Sequence, residues 1–169
     1  VRVTHLPPFE ACPQRGGARS VMTAYTAYDG RPWPANDWLL RDLLKTQWNF
    51  PGFVISDAGA TGGANVLHFT ARDYADATAQ SITAGLDVIF QTDYTHHLLF
   101  APPFYDGSIE TPAVDEAVTR VLRAKFDLGL FENPYADPAE AAVWNGHAAH
   151  RAGRRADRED GEATVGRGG

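Results

Sequence analysis

The sequence predicts an α/β fold built on parallel strands, and three observations carry that prediction. Short β-branched apolar runs end at turn residues, segments with apolar residues at helical spacing lie between them, and the two kinds alternate strand, helix, strand, helix, strand, helix. The first run, Ser20 to Tyr25, follows the Gly16-Gly17 break and stops before Tyr28-Asp29-Gly30, so it reads as a short buried strand. A helix follows, with Asn36 or Asp37 as its cap and Leu39, Leu40, Leu43, Leu44 and Trp48 on one face, stopping near Asn49 before Pro51-Gly52. Gly52 to Ser56 reads as the second strand, ending at Asp57 and a Gly-rich loop from Ala58 to Ala64. A second helix is predicted from about Ala71 to Ala84 with Gly85 as its left-handed cap, then a third strand from Leu86 to Phe90. The last helix takes Thr111 as cap and Pro112 as first residue, presents Val114, Val118, Val121, Leu122 and Phe126, and ends at Gly129. Three parallel strands alone leave both sheet edges unpaired, an incomplete solution for a parallel sheet.

Composition bounds the partners. Of 169 residues 44% are hydrophobic and 21% charged, which is ordinary for a globular domain. A net charge of −6 argues against a nucleic-acid or membrane-surface partner, because neutralising phosphates requires an excess of Lys and Arg. A neutral, sugar-like ligand suits the balance better. Cys12 is the single cysteine, so no intrachain disulfide and no cysteine-based metal cluster can form. The opening Val1-Arg2-Val3-Thr4-His5 has neither an initiating Met nor a signal pattern, and it reads as the interior of something longer. Export and cytoplasmic retention therefore both stay open. From His150 onward arginines and acids alternate with glycine and large apolar residues almost vanish, so 150–169 is expected to be a disordered or frame-shifted tail, with the shift near Arg151 to Arg154.

The strings LPPFEA (Leu6 to Ala11), GGARSVMTAY (Gly16 to Tyr25), NDWLL (Asn36 to Leu40), GFVISD (Gly52 to Asp57), AGLDV (Ala84 to Val88) and RVLRAKFDLGLFENPY (Arg120 to Tyr135) occur in order and in register. Together they resemble family 3 glycoside hydrolases, the β-glucosidases and β-xylosidases, from about Leu6 to about His150. The resemblance implies a partial (β/α)8 barrel, about its last three strand-helix units, over residues 1–149. It implies a retaining β-glycosidase, exo-acting on β-glucosides or β-xylosides, with no metal or organic cofactor. Asp57 would be the nucleophile, placed where barrel active sites sit, at a strand's C-terminal end. A retaining enzyme also needs a protonated carboxyl roughly 5–5.5 Å away. Tyr25 matches the family tyrosine whose hydroxyl lies against the nucleophile. The family often has Trp after its Ser-Asp, as a wall of the sugar site, where this sequence has Ala58. That departure leans toward xylosidase-like members.

The resemblance also implies partners. Family members carry roughly five further barrel strands before this segment, with the sugar-fixing Asp, Arg, Lys and His groups, and often a following α/β domain with the acid/base Glu. Those missing halves are the expected complement, and without them the chain is expected to be inactive, or to act as a carbohydrate-binding or assembly module needing a partner half-barrel. Glu10, Glu110, Glu132 and Glu140 have no motif support as substitute acids. The residues have blander readings too: Asp57 as a turn-former or cap, and Tyr25 as a core tyrosine. Of Trp33, Trp38, Trp48 and Trp144, mainly packing residues, only Trp33 lies in a loop placed to approach a sugar. His96-His97 reads as a loop or helix-start pair, since adjacent residues rarely converge on one ion.

Overall fold

The computed structural model describes residues 4–91 and 93–140. The chain divides after Leu128 into two units. In the first, helix α1 (Leu6–Gln14) leads into β1 (Ser20–Met22), and a two-stranded hairpin of β2 (Ala27–Tyr28) and β3 (Arg31–Pro32) follows. Asp29 and Gly30, at φ 54° and 74°, supply the two left-handed positions that a type I′ hairpin requires. A short 3₁₀ turn, Trp33–Ala35, delivers the chain to the helix Trp38–Gln47. Asn36, not Asp37, caps this helix: its Oδ1 accepts from Leu39 N at 3.1 Å, while Asp37 pairs with Arg31.

That helix is wound as a π helix, with Trp48 N donating to Leu43 O at 2.9 Å across five residues. The apolar pattern did not distinguish the two windings, because Leu39, Leu40, Leu43, Leu44 and Trp48 contain spacings of both four and five. Leu40 and Leu44 pack with Phe50, Val54 and Leu86 in one cluster; Leu39 and Leu43 pack with Leu6 in another. Burying each such side chain contributes roughly 1.5–3 kcal/mol. Asn49, left-handed at φ 50°, ends the helix where the sequence expected.

β4 (Phe53–Ile55) pairs parallel with β1 in the register Ser20↔Phe53, Val21↔Val54, Met22↔Ile55. Gly52 lets them meet, since a Cβ there would lie 2.1 Å from Arg19 O. After β4 come α2 (Gly63–Val66), which starts at the end of the expected loop and runs past it, and α3 (Tyr74–Ala84). α3 starts three residues later than expected because Asp73 caps it, accepting from Asp76 N at 2.8 Å. It ends as predicted, Gly85 at φ 108°, with Gly85 N on Ile82 O and Leu86 N on Ser81 O. The expected strand Leu86–Phe90 shrinks to one parallel bridge, Ile55↔Val88, flanked by Val88 N to Val54 O and Ser56 N to Val88 O. Among the described residues nothing pairs with its far side, so the extended segment has a ladder on one edge alone.

α4 (His97–Phe100) follows a 3₁₀ turn, Tyr94–His96, so the His pair does fall at a helix start. α5 (Thr111–Asp127) begins one residue earlier than predicted, with Glu110 rather than Thr111 at the cap and Pro112 at its second position. Its buried residues are Ala117 and Ala124, whereas Val118, Leu122 and Phe126 of the expected apolar face are exposed. Polar groups also turn inward: Arg120 Nη1 donates to Phe50 O and Gly52 O, just before β4, at 2.9 Å, and Glu116 joins a buried ion network. In the second unit, Glu132 N and Asn133 N return to Gly129 O, which stands at φ 68°. The expected tail from His150, and Trp144, lie outside the described residues.

In the network, Lys45 Nζ, with its side chain 5% exposed, pairs with Asp87 at 2.7 Å and Glu116 at 3.3 Å. Asp87 also accepts from Val54 N at 2.7 Å, and Glu116 accepts from Arg41 and Arg120 at 3.1 Å. Burial pushes the Asp87 carboxyl up, against the pull of Lys45, Val54 N–H and Arg120. Glu116 meets an opposing burial cost, but Lys45, Arg120 and Arg41 together hold it down at about 2. Two outcomes follow. Lys45→Met alone strands a buried carboxylate and lowers stability by about 3–5 kcal/mol in urea unfolding, whereas Lys45→Met/Asp87→Asn, which retains an acceptor for Val54 N, loses distinctly less. Because Glu116 is depressed from 4.5 to about 2, its contribution is present above pH 4.5 and lost as the pH falls toward 2; Glu116→Gln flattens that limb of the stability curve.

Candidate active site

β1, β4 and the Val88 bridge run parallel, so their C-terminal ends share one side, where Tyr25, Asp57 and Phe90 follow. Ser56, fully buried, is the last residue before Asp57, and its Oγ accepts from Phe90 N at 2.9 Å. Gly59, left-handed at φ 71°, turns back to donate its N–H to Phe90 O at 3.0 Å. Phe90 is thereby held at both backbone polar groups by residues on either side of Asp57. The turn closes on itself as well, with Ala60 N on Asp57 O at 3.0 Å and Ala58 N on Asp57 Oδ1 at 2.7 Å.

The Tyr25 hydroxyl donates to Ala58 O at 2.6 Å across the neighbouring strand ends. Desolvation, then the charge and hydrogen-bonding reach of the Asp57 carboxylate, push the Tyr25 phenol above its ordinary value. The phenol therefore stays protonated beside Asp57, with its proton given to Ala58 O. The structure thus gathers Asp57, Tyr25 and Ala58 into one hydrogen-bonded group. Trp33 is not drawn into it: its half-buried indole packs against Leu6, Leu39 and Leu43, with the Phe9 ring 6.4 Å away. Two contributors went unassigned in the sequence. Ser56 stood inside a motif with no role attached, and His68, whose Nε2 lies 2.7 Å from Tyr25 O, carried no signal beyond being a histidine in the loop after Asp57.

A groove of about 780 Å³ is lined by Gly30, Arg31, Thr70 and Gln80, and an apolar hollow of about 470 Å³ by Ile89, Phe90, Phe100 and Val118; Asp57 lines neither. Among the described residues no His, Cys, Asp and Glu side chains group as metal ligands. No helix there is long and apolar enough to cross a membrane.

Parallel strands joined by helices, with Asp57 and Tyr25 following the C-terminal ends of adjacent strands, define an α/β domain whose candidate site lies on the strand-end side. Residues 1–124 match the glycosyl hydrolase family 3 N terminal domain, and the chain belongs to that family. It is 34% identical over 144 residues to a β-xylosidase of Formosa agariphila, covering 78% of this chain and 19% of that protein. It is 32% identical over 158 residues to a periplasmic β-glucosidase of Salmonella typhimurium, covering 92% and 20%. Among solved structures, a β-glucosidase from Erythrobacter marinus superposes with a TM-score of 0.76 at 34% identity, over 86% of this chain and 19% of that one. A Listeria innocua β-glucosidase in complex with glucose gives 0.68 at 40% identity, over 77% and 18%. The chain therefore spans about a fifth of the length of these relatives.

The Ser56 to Phe90 bond makes a specific demand. Ser56→Ala leaves the part-buried Phe90 N–H without its acceptor, at a cost of about 0.5–1.5 kcal/mol measured by chemical unfolding. Ser56→Thr, which retains a hydroxyl, loses less if its extra methyl is accommodated.

Proposed function

We propose that this chain is the nucleophile-bearing part of a retaining β-glycosidase that removes terminal β-linked glucose or xylose, folded as about the last three strand-helix units of a (β/α)8 barrel. One observation carries the reading: the Tyr25 phenol is hydrogen-bonded to Ala58 O beside the Asp57 carboxylate, at the ends of adjacent parallel strands. Asp57 attacks the anomeric carbon, the C–O bond to the leaving group breaks, and an acid outside this segment gives that oxygen a proton. Water then attacks the glycosyl ester, the same group now taking its proton, and the sugar leaves with retained configuration. Tyr25 orients the carboxylate and stabilises charge near it. Ala58, small where relatives of this type often present a bulky wall, leaves room beside the nucleophile. A glycoside substrate is consistent with the glucose held by the Listeria innocua β-glucosidase and with a xylobiose-derived probe bound by a family 3 exo-β-xylosidase, XlnD.

A specific feature favours the assembly reading for the isolated segment. Met22 is 57% exposed on β1, whose outer edge is unpaired among the described residues, and Val118, Leu122 and Phe126 of α5 face solvent. These surfaces are built to be covered by the preceding strands and the following domain. The isolated chain is expected to show no turnover, and mixing with a separately produced remainder to restore it. In the complete enzyme, Asp57→Gly lowers kcat/KM on an aryl β-xyloside or β-glucoside by about 10⁴-fold or more, and added azide yields the α-glycosyl azide. Undiminished turnover by that variant would remove Asp57 from the mechanism.

A further inference from the structure

The Tyr25 side chain points its hydroxyl at Ala58 O, but its main chain is held by something else. His68 Nε2 lies 2.7 Å from Tyr25 O. A carbonyl oxygen only accepts, so Nε2 carries the proton, as it does in one neutral tautomer and in the imidazolium alike. His68 comes from the loop that follows Asp57, so the two strand ends are tied twice, by Tyr25 to Ala58 and by His68 back to Tyr25.

The loop that carries His68 is built to hold it. His68 N donates to Gly63 O at 2.9 Å, and Thr70 N and Ala71 N both return to Ala64 O. Asn65 Nδ2 binds Ala71 O and Arg72 O at 3.0 and 2.9 Å. Between these anchors Phe69 is held at φ 54° with its ring 83% exposed. A bulky side chain in the left-handed region costs of order 1–3 kcal/mol, and an exposed ring offers no packing in return. What the kink accomplishes is to turn the chain immediately after His68.

Resting on the function proposed above, we infer that His68 is a positioning residue for the active site: it fixes the Tyr25 main chain and thereby holds the phenol against the Asp57 turn. It touches neither substrate nor the reacting atoms. Its role is to add a main-chain anchor to the half-exposed Tyr25, whose ring is held at its other end by the hydroxyl on Ala58 O. Positional errors of about 1 Å in such groups cost on the order of 10²-fold in rate.

The test uses the 169-residue chain labelled with ¹³Cζ-tyrosine, its six resonances titrated by NMR and Tyr25 assigned through Tyr25→Phe. His68→Leu is expected to bring the Tyr25 midpoint down toward that of the exposed tyrosines, leaving the other resonances in place. His68→Gln, whose amide can still donate, is expected to retain most of the raised value. Asp57→Asn is the separate control on the underlying reading, because a Tyr25 midpoint indifferent to it means that the phenol does not face Asp57. A Tyr25 midpoint sensitive to Asp57→Asn but unmoved by His68→Leu overturns the inference while leaving the proposed function standing. In the complete enzyme, His68→Leu is expected to lower kcat about tenfold or more with KM little changed, and to add almost nothing on a Tyr25→Phe background. Additive losses would contradict it.

Discussion

The buried contact between Lys45 and Asp87 is the constraint on which the remaining structure hangs. Two charges removed from water cost several kcal/mol each unless they are paired and hydrogen-bonded, and here both are. Asp87 spends one oxygen on Lys45 and the other on Val54 N, in the middle of the strand that ends at Asp57. Lys45 spends its remaining reach on Glu116 of α5, and Glu116 gathers Arg41 and Arg120. One network therefore ties the π helix, β4, the Val88 segment and α5, and Arg120 extends it to Phe50 O and Gly52 O at the entry of β4. A slip of β4 by one residue would exchange its buried and half-buried faces and also strand a buried charge.

At the other end of β4 the constraints are neutral hydrogen bonds between neighbouring strand ends. Ser56 and Gly59 grip Phe90 on one side of Asp57, and Tyr25 grips Ala58 on the other. The strand is anchored deep by charge and aimed at its tip by hydrogen bonds. That division suits a nucleophile, whose carboxylate must remain ionised and exposed to substrate while its backbone stays still.

Much of this was legible in the sequence, and what was not has identifiable causes. The alternation of strands and helices, the Gly85 cap and the stop at Asn49 follow from periodicity and turn residues, whereas the expectation of Tyr25 beside the Asp57 turn came from the family resemblance. The π winding was hidden because the leucine spacings fit both windings. The face of α5 was misassigned in part: Val114 and Val121 are half-buried as expected, but Ala117 and Ala124 are the buried residues, Glu116 and Arg120 turn inward to ion pairs, and Val118 and Leu122 turn out. The third strand was overextended because an apolar run reports burial, whereas a ladder also needs neighbours. His68 and Ser56 act through single hydrogen bonds to distant backbone atoms, which leave no periodic trace.

The central claim is that Asp57 forms the bond to the sugar. Its most direct test is to treat the complete enzyme with 2-deoxy-2-fluoro-β-glucosyl and β-xylosyl fluorides, which allow the glycosyl ester to form but slow its hydrolysis, and to locate the label by peptide mass spectrometry. The account predicts one stoichiometric label, on the peptide that contains Asp57 and absent in Asp57→Gly. A label on any other carboxylate, or none in an enzyme that remains inactivated by neither reagent while turning over glycosides, would contradict it.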